Sequence, residues 1–500
     1  MFNLCYHEAM SSLYDVIVIG AGAVGCSVAR ELALYELKVL VLEKECDVAY
    51  GTSGRMSGVV HAGFNNKTGS LMAKLCVEGN RGFEAVCREL DIPYKKTGKV
   101  LVAFDEADME ALEGIIARGK ANGCEGLRLL NKEEIGDLVP GIGGIGGMLS
   151  PNTAIFDPFE YCIAHAENAM DNGVEFCFNS EVTGARKDAD GNFTVTANDR
   201  EYRTKYLVNS AGLYCDRISE MLGIDGYRIY PCRGQYYILD KVADDLLDIP
   251  AYPVPKPGIG GLGVHLTPTI DGNIIIGPSA EYLDDPDDYA STPEVMEKLF
   301  NEAKALLPAK ALLPAVERRY IIGNYSGIRP KQAPPGEGGF RDFVIKEEEK
   351  CPGLINLIGI ESPGFTAAVP IARMVCDILG QHLDIVPKKE FNPVRKGRVR
   401  FRELSKEEQE KLIKENPEYG EIICRCQNVT RAEIRTAIEN RFGARSISSI
   451  KYRAWATTGR CNGGYCLAKI VDMLVHDYHM KPEEITYRGS GSAMFSGEVK

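Results

Sequence analysis

Tyr14-Asp-Val-Ile-Val-Ile-Gly20-Ala-Gly22-Ala-Val-Gly25-Cys-Ser-Val-Ala-Arg30 is the stretch that decides the fold. Tyr14 to Ile19 has the length and β-branched composition of a buried parallel strand. It runs directly into a glycine-rich turn, and the turn into a helical pattern, CSVARELALYE. Each glycine answers a separate demand: a tight turn at Gly20, close backbone approach to a pyrophosphate at Gly22, and close packing of helix on strand at Gly25. The helix N-terminus adds unpaired N–H groups and the positive end of its dipole. A second strand, Lys38 to Leu42, ends in Glu43, whose carboxylate can accept both hydroxyls of an adenosine ribose. The stretch predicts a doubly wound, Rossmann-like α/β domain.

Taken alone GxGxxG is weak evidence. It recurs at Gly141-Ile-Gly143-Gly-Ile-Gly146 and at Gly258-Ile-Gly260-Gly-Leu-Gly263, but neither repeat follows a strand or opens a helix, so both are predicted to be loops. Beyond the motif, 500 residues with 45% apolar content can bury large cores and suggest two to four domains. The net charge of −12, from 70 acidic and 58 basic residues spread along the chain, argues against a nucleic-acid binder, which needs a broad cationic face. No run approaches the roughly 20 apolar residues of a transmembrane helix, and no secretory signal is present, so a cytoplasmic location is expected. Met10 stands just before SSLYDVIVIG, and the first nine residues read as an extension or an upstream start. Of 16 cysteines, twelve are scattered singly through apolar context, as at Cys26, Cys162 and Cys376, and are expected to be small core residues.

Thr52-Ser53-Gly-Arg-Met-Ser-Gly-Val-Val-His61-Ala-Gly-Phe64 follows the Glu43 strand, where small residues let a chain pass flat along an extended cofactor. Here the sequence resembles the flavoprotein superfamily of D-amino-acid oxidase, and within it the glycerol-3-phosphate and L-2-hydroxyglutarate dehydrogenase branches. The resemblance covers about Tyr14 to Gly380. Leu207-Val-Asn-Ser-Ala211-Gly212-Leu-Tyr-Cys-Asp216 is similar to the return strand and loop near the adenosine. Leu357-Ile-Gly359-Ile-Glu-Ser-Pro-Gly364-Phe365-Thr366 is similar to the last flavin-binding turn. The resemblance implies FAD, held by these segments with Val182 in the same site.

Between the flavin segments lie Tyr230-Pro-Cys-Arg233-Gly-Gln-Tyr236, Gly263-Val-His265-Leu-Thr267 and Tyr325-Ser-Gly-Ile-Arg329-Pro-Lys331, whose alternation predicts a mostly antiparallel sheet roofing the flavin. In the hydroxyglutarate branch, the resemblance implies, the histidine of GVHLT and the arginine of GIRPK face the substrate. The chemistry asks for a base, a hydride path and a cation for a small anionic substrate. His61 or His265 can be the base, and Arg329 can clamp a carboxylate or phosphate. The blander alternatives are an arginine pinning a loop and a histidine satisfying a core carbonyl.

After Gly380 the character changes. Pro387 to Arg402 is basic and proline-punctuated, and Ser405 opens a polar helical run, so this is a connector expected to pack on the acidic main domain. Cys424-Arg-Cys426 then precedes an amphipathic helix, Arg431 to Asn440, and Cys461-Asn-Gly463-Gly464-Tyr-Cys466 follows. Four thiolates suit an iron–sulfur cluster or zinc, and spacing alone leaves both open. The segment resembles the bacterioferritin-associated-ferredoxin type of [2Fe-2S] domain, a module also fused to the catalytic subunit of anaerobic glycerol-3-phosphate dehydrogenase. The resemblance implies a cluster that passes electrons to a partner, a flavoprotein or a membrane-associated quinone-linked subunit. His476 and His479 read as surface residues one turn apart on a following helix.

The predicted organisation is an FAD-dependent oxidoreductase at 14–385, with cofactor parts near 14–85, 147–215 and 340–385 and an α+β substrate domain from 86–146 and 216–339. A linker at 386–419, a small helical [2Fe-2S] domain at 420–485 and a tail at 486–500 complete it. The expected activity is dehydrogenation of sn-glycerol 3-phosphate or an L-2-hydroxy acid. An amine or imino-acid dehydrogenase, and an electron-transfer subunit without its own substrate, are the alternatives.

Overall fold

The computed structural model describes residues 13–255, 263–306 and 317–497. The Met10 start and Gly258 to Leu262 of the third glycine motif lie outside the described residues. The Leu13–Ile19 strand lies at the middle of an eight-stranded sheet, parallel to Val39–Leu42 on one side and Arg200–Asn209 on the other. Glu175–Cys177 and Cys351–Ile358 extend the parallel core outward, and Val182–Lys187, Phe193–Ala197 and Val344–Glu348 add antiparallel members. Ala23–Leu32 packs between the Pro158–Asp171 and Gly364–Leu379 helices, which is why nearly every residue of it is buried and its pattern carries so little polarity. Strands buried on both faces need such continuous apolar runs.

Gly20 shows why the motif works. Its φ of +99° belongs to the region glycine favours, and a Cβ there would stand 2.9 Å from the Ser210 carbonyl oxygen of the neighbouring strand. At Gly25 a Cβ would meet the Gly20 carbonyl oxygen at 1.9 Å, so helix and turn can touch only through a glycine.

A nine-stranded sheet covers the carboxyl ends of the parallel strands. Tyr230–Leu239 and Ile321–Lys331 form its longest antiparallel pair, with Cys232 opposite Arg329 and Tyr236 stacked on Tyr325, centroids 4.6 Å apart. His265–Pro268 and Ile274–Gly277 continue it, then Ala251–Pro253 pairs parallel with Lys99–Ala103. Gly146–Ser150 pairs with Lys99–Ala103, so this sheet reaches residues that the sequence reading gave to the cofactor part from 147 onward; its glycines and short length carry no alternation to reveal the pairing. The Gly141–Ile145 stretch is a loop leading into that strand.

The connector is a strap. Glu36 donates its N–H to the Val386 carbonyl, and Arg395 pairs with Glu160 at 2.8 Å and Glu167 at 2.6 Å. Arg398 reaches Glu160, Arg400 reaches Asp91 and Arg402 reaches Asp271. Ser405 then caps the Lys406–Glu415 helix in a box with Glu408. The C-terminal module is three short helices, Arg431–Ile438, Ile447–Ala454 and Cys466–His476, around their own apolar core. The last helix ends at His476, so His479, at φ +54°, is not on it; both histidines are exposed. Among the described residues, no helix is long and apolar enough to cross a membrane.

Candidate active site and cluster site

A cavity of about 680 Å³ lies between the two sheets. Gly20, Gly22, Glu43, Thr52, Ser53, Val182, Ala211, Gly212, Gly364, Phe365 and Thr366 line it, and so do His61, His265 and Arg329. Gly25 stands behind the turn, where its role is packing. The Ala23–Leu32 helix points its N-terminus at the cavity; its N-cap, Gly22, has no side chain to cap it, Ser53 Oγ accepts from Ala23 N at 2.9 Å, and a Cβ on Gly22 would meet only Ser53 Oγ, at 3.1 Å. The glycine leaves room for an anion at the helix N-terminus, the place where a diphosphate binds. Glu43 stands at the end of its strand, its oxygens accepting from Ala21 N at 2.6 Å and Glu45 N at 2.9 Å, while burial pushes its carboxyl up to about 7. The cavity's far end turns from backbone to ionisable side chains, so an elongated dinucleotide fits with its reactive end there.

At that end His61 is fixed from both sides of its backbone. Its N–H donates to Thr366 Oγ1 at 3.0 Å, and its carbonyl accepts from Asn80 Nδ2 at 3.1 Å. Its Nε2 is 3.3 Å from Ser362 Oγ. His265 lies on Tyr252, and its Nδ1 donates to the Gly263 carbonyl at 3.0 Å, which leaves Nε2 as an acceptor. Burial, with Lys99 adding to it, holds both imidazoles below their ordinary range, His265 at about 3. Arg329 donates to the Ser279 carbonyl at 2.5 Å and also lines the cavity. Each bland alternative is therefore true of one nitrogen and leaves other atoms of the same side chain facing the cavity.

The structure adds Lys99, which sequence reading missed. It is 1% exposed, its Nζ lies 4.4 Å from the Tyr252 ring centre and 4.7 Å from that of Phe64, and burial lowers it to about 7. Among the described residues it has no carboxylate partner. It lines a second cavity, of about 830 Å³, that shares His61, Phe340, Ser362 and Pro363 with the first. The only signal in the sequence is a lysine heading the apolar strand KVLVA, where strand edges are usually polar.

The four C-terminal cysteines come together as two pairs. Cys426 Sγ is 3.6 Å from Cys461 Sγ at the surface, and Cys424 lies beside Cys466 in the interior. Four thiols gathered as two pairs could hold a cluster or a metal ion. The loop is compressed around the thiols: a Cβ on Gly459 would meet Cys426 Cβ at 2.2 Å, and Thr457, Asn462 and Gly463 all have positive φ. The Tyr465 N–H holds the Cys461 thiol below its ordinary value, and Cys466 draws Cys424 down to about 6. Their partners Cys426 and Cys466 are pushed up in turn, so each pair holds one thiol inclined to ionise.

Residues 15–378 match the family described as FAD dependent oxidoreductase, and residues 422–476 match the BFD-like [2Fe-2S] binding domain. Glycerol 3-phosphate dehydrogenase of Caloramator mitchellensis is 38% identical over 491 residues, 98% of this chain and 99% of that one. Mitochondrial L-2-hydroxyglutarate dehydrogenase of Arabidopsis thaliana is 32% identical, covering 73% of this chain and 83% of its own. Among solved structures, FAD-bound L-alpha-glycerophosphate oxidase from Mycoplasma pneumoniae superposes with a TM-score of 0.71 at 29% identity, covering 78% of this chain and all of that one. The match spans nearly three quarters of the chain, and its fold, cavity and thiol pairs agree with it: the chain belongs to the FAD-dependent oxidoreductases of the D-amino-acid oxidase type, an enzyme that binds FAD in its large module and a [2Fe-2S] cluster in its small one.

Proposed function

We propose that the chain dehydrogenates sn-glycerol 3-phosphate and delivers the electrons through the [2Fe-2S] module to an acceptor protein. The observation that carries this is the match of both modules together, end to end, to a glycerol 3-phosphate dehydrogenase. FAD, when bound, supplies the acceptor for the hydride that leaves the carbinol carbon. The hydroxyl proton goes to a neutral imidazole, His61 Nε2 or His265 Nε2, and the carbinol becomes a ketone. Arg329 and Lys99 are the cations that hold the phosphate. Anaerobic mixing with sn-glycerol 3-phosphate should bleach the flavin within turnover time, and no bleaching removes this reading.

L-2-hydroxyglutarate is the second reading. Two separate cations, Lys99 and Arg329, both act on His265, and a dicarboxylate offers two charges to two such groups. The same bleaching assay with L-2-hydroxyglutarate separates the two. Amine and imino-acid enzymes such as glycine oxidase of Geobacillus kaustophilus share the fold at 20% identity, which supports the architecture alone. Bleaching by glycine or proline, with none by either hydroxy compound, would favour that chemistry.

A further inference from the structure

Where the two modules meet, three cations stand together without an ion-pair partner, Glu45 acting on Arg55 only from a distance. Arg55 follows the Thr52–Gly54 turn of the flavin module, Lys451 lies on the Ile447–Ala454 helix of the small module, and Arg488 comes from the tail beyond it. Among the described residues none of the three forms an ion pair. Asp47, a carboxylate at the same seam, is held by Arg453 at 2.9 Å. Arg55 lies over the Tyr289 ring at 4.1 Å, and its Nε is buried with no hydrogen-bond partner. Arg488 donates to the Tyr50 carbonyl and lies 5.0 Å from the Tyr50 ring centre. Each of the three repels the others: burial and its neighbours lower both Arg55 and Lys451. Like charges gathered in a half-buried seam cost free energy unless an anion joins them.

Arg55 and Arg488 both line the flavin cavity. The residues after Tyr50 place them along it: Gly51, Thr52 and Ser53 line the same wall, and Ser53 Oγ accepts from Ala23 N, 2.9 Å away, at the N-terminus of the first helix. We propose that Arg488 and Arg55, backed by the neighbouring charge of Lys451, form a cationic wall for the FAD diphosphate, so that the tail beyond the C-terminal module completes the flavin site of the large module. The inference rests on FAD occupying the cavity. It goes beyond the nucleotide motif, because the anion is then held by backbone N–H groups from residue 22 onward and by a side chain more than 400 residues later in the chain.

The test uses the full chain, deflavinated and titrated with FAD by quenching of flavin fluorescence, with iron content as the check on the small module. Arg488→Gln should raise the FAD dissociation constant at least tenfold, Lys451→Gln should raise it less, and Arg488→Lys should restore most of the affinity. Inorganic pyrophosphate should compete with FAD in the unaltered protein and compete less in Arg488→Gln. If Arg488→Gln loses iron or folds poorly, the pyrophosphate competition with Arg488→Lys and Lys451→Gln decides. An FAD constant within twofold of the unaltered one in Arg488→Gln, at full iron content, overturns the proposal. So does an unchanged FAD constant with a weakened substrate constant, since the wall would then take a free anion. No flavin bound by the unaltered protein, before or after reconstitution, would instead sink the FAD reading itself.

Discussion

His265 lies flat against Tyr252, ring centroids 3.7 Å apart and planes 10° from parallel. The stack fixes the imidazole plane, and the Gly263 carbonyl fixes the proton on Nδ1, so Nε2 presents one lone pair in one direction. Because burial holds the ring at about 3, it is neutral throughout the neutral range. If it is the base, kcat/KM should show no acid limb from this residue down to about pH 5, unlike a free histidine at about 6.5. The stability sign follows: the unfolded chain takes up a proton that the folded chain refuses, so stability falls as pH drops from 6.5 towards 3. His265→Gln should slow anaerobic flavin reduction by about 10²- to 10⁴-fold with FAD content intact. An unchanged rate passes the role to His61.

Lys99 titrates in the same sense, at higher pH. Folding lowers it from 10.5 to about 7, so the folded state binds the proton less well, and this group's contribution to stability grows as pH rises from about 7 to 10.5. Lys99→Met should therefore raise the melting temperature below about pH 7. It should also weaken substrate binding there, and abolish the loss of affinity expected of the unaltered protein as pH climbs through 7. Arg329→Ala should weaken binding by about 2–5 kcal/mol, the usual loss for a desolvated charge-assisted contact, without that pH dependence. Calorimetric titration at two pH values tests both.

Cys461→Ser should remove or perturb the cluster while substrate still reduces the flavin. Transfer to an acceptor protein should be lost. Iron and sulfide assays with electron paramagnetic resonance of the reduced protein give the readout, and stoichiometric zinc without an iron signal would rule the relay out.

The seam between modules has its own ion pair, Asp47 with Arg453, both nearly without solvent contact. Arg453→Ala leaves a buried carboxylate alone and should cost about 3–5 kcal/mol. Limited proteolysis should then cut between residues 386 and 402 faster than in the intact protein, where the strap is fastened.

Much of this was legible in the sequence, for a reason visible at Gly20, Gly22 and Gly25. A turn that tolerates no side chain writes itself as glycine, and local steric demands do not depend on the rest of the fold. The cysteine pairs were legible because soft ligands have few other uses at such density. Lys99, Lys451 and Arg488 were not. A lysine heading a strand or a basic residue in a tail looks like solvated surface, and only the packing of Tyr252 and Phe64 over one makes it buried, as the meeting of two modules makes the others half-buried. The strand Gly146–Ser150 was misplaced because a pairing between distant segments leaves no local mark in a glycine-rich stretch.

The strap along residues 386–402 settles what kind of machine the small module is. A slack tether would let a carrier domain wander, meeting the flavin at an effective concentration of roughly millimolar and losing time to each search. Arg395, Arg398, Arg400 and Arg402 each pair with a carboxylate of the large module, which shortens any such search. The conductor stays wired close to the large module, and it is the acceptor that must travel, to the exposed edge where Cys426 and Cys461 reach the surface.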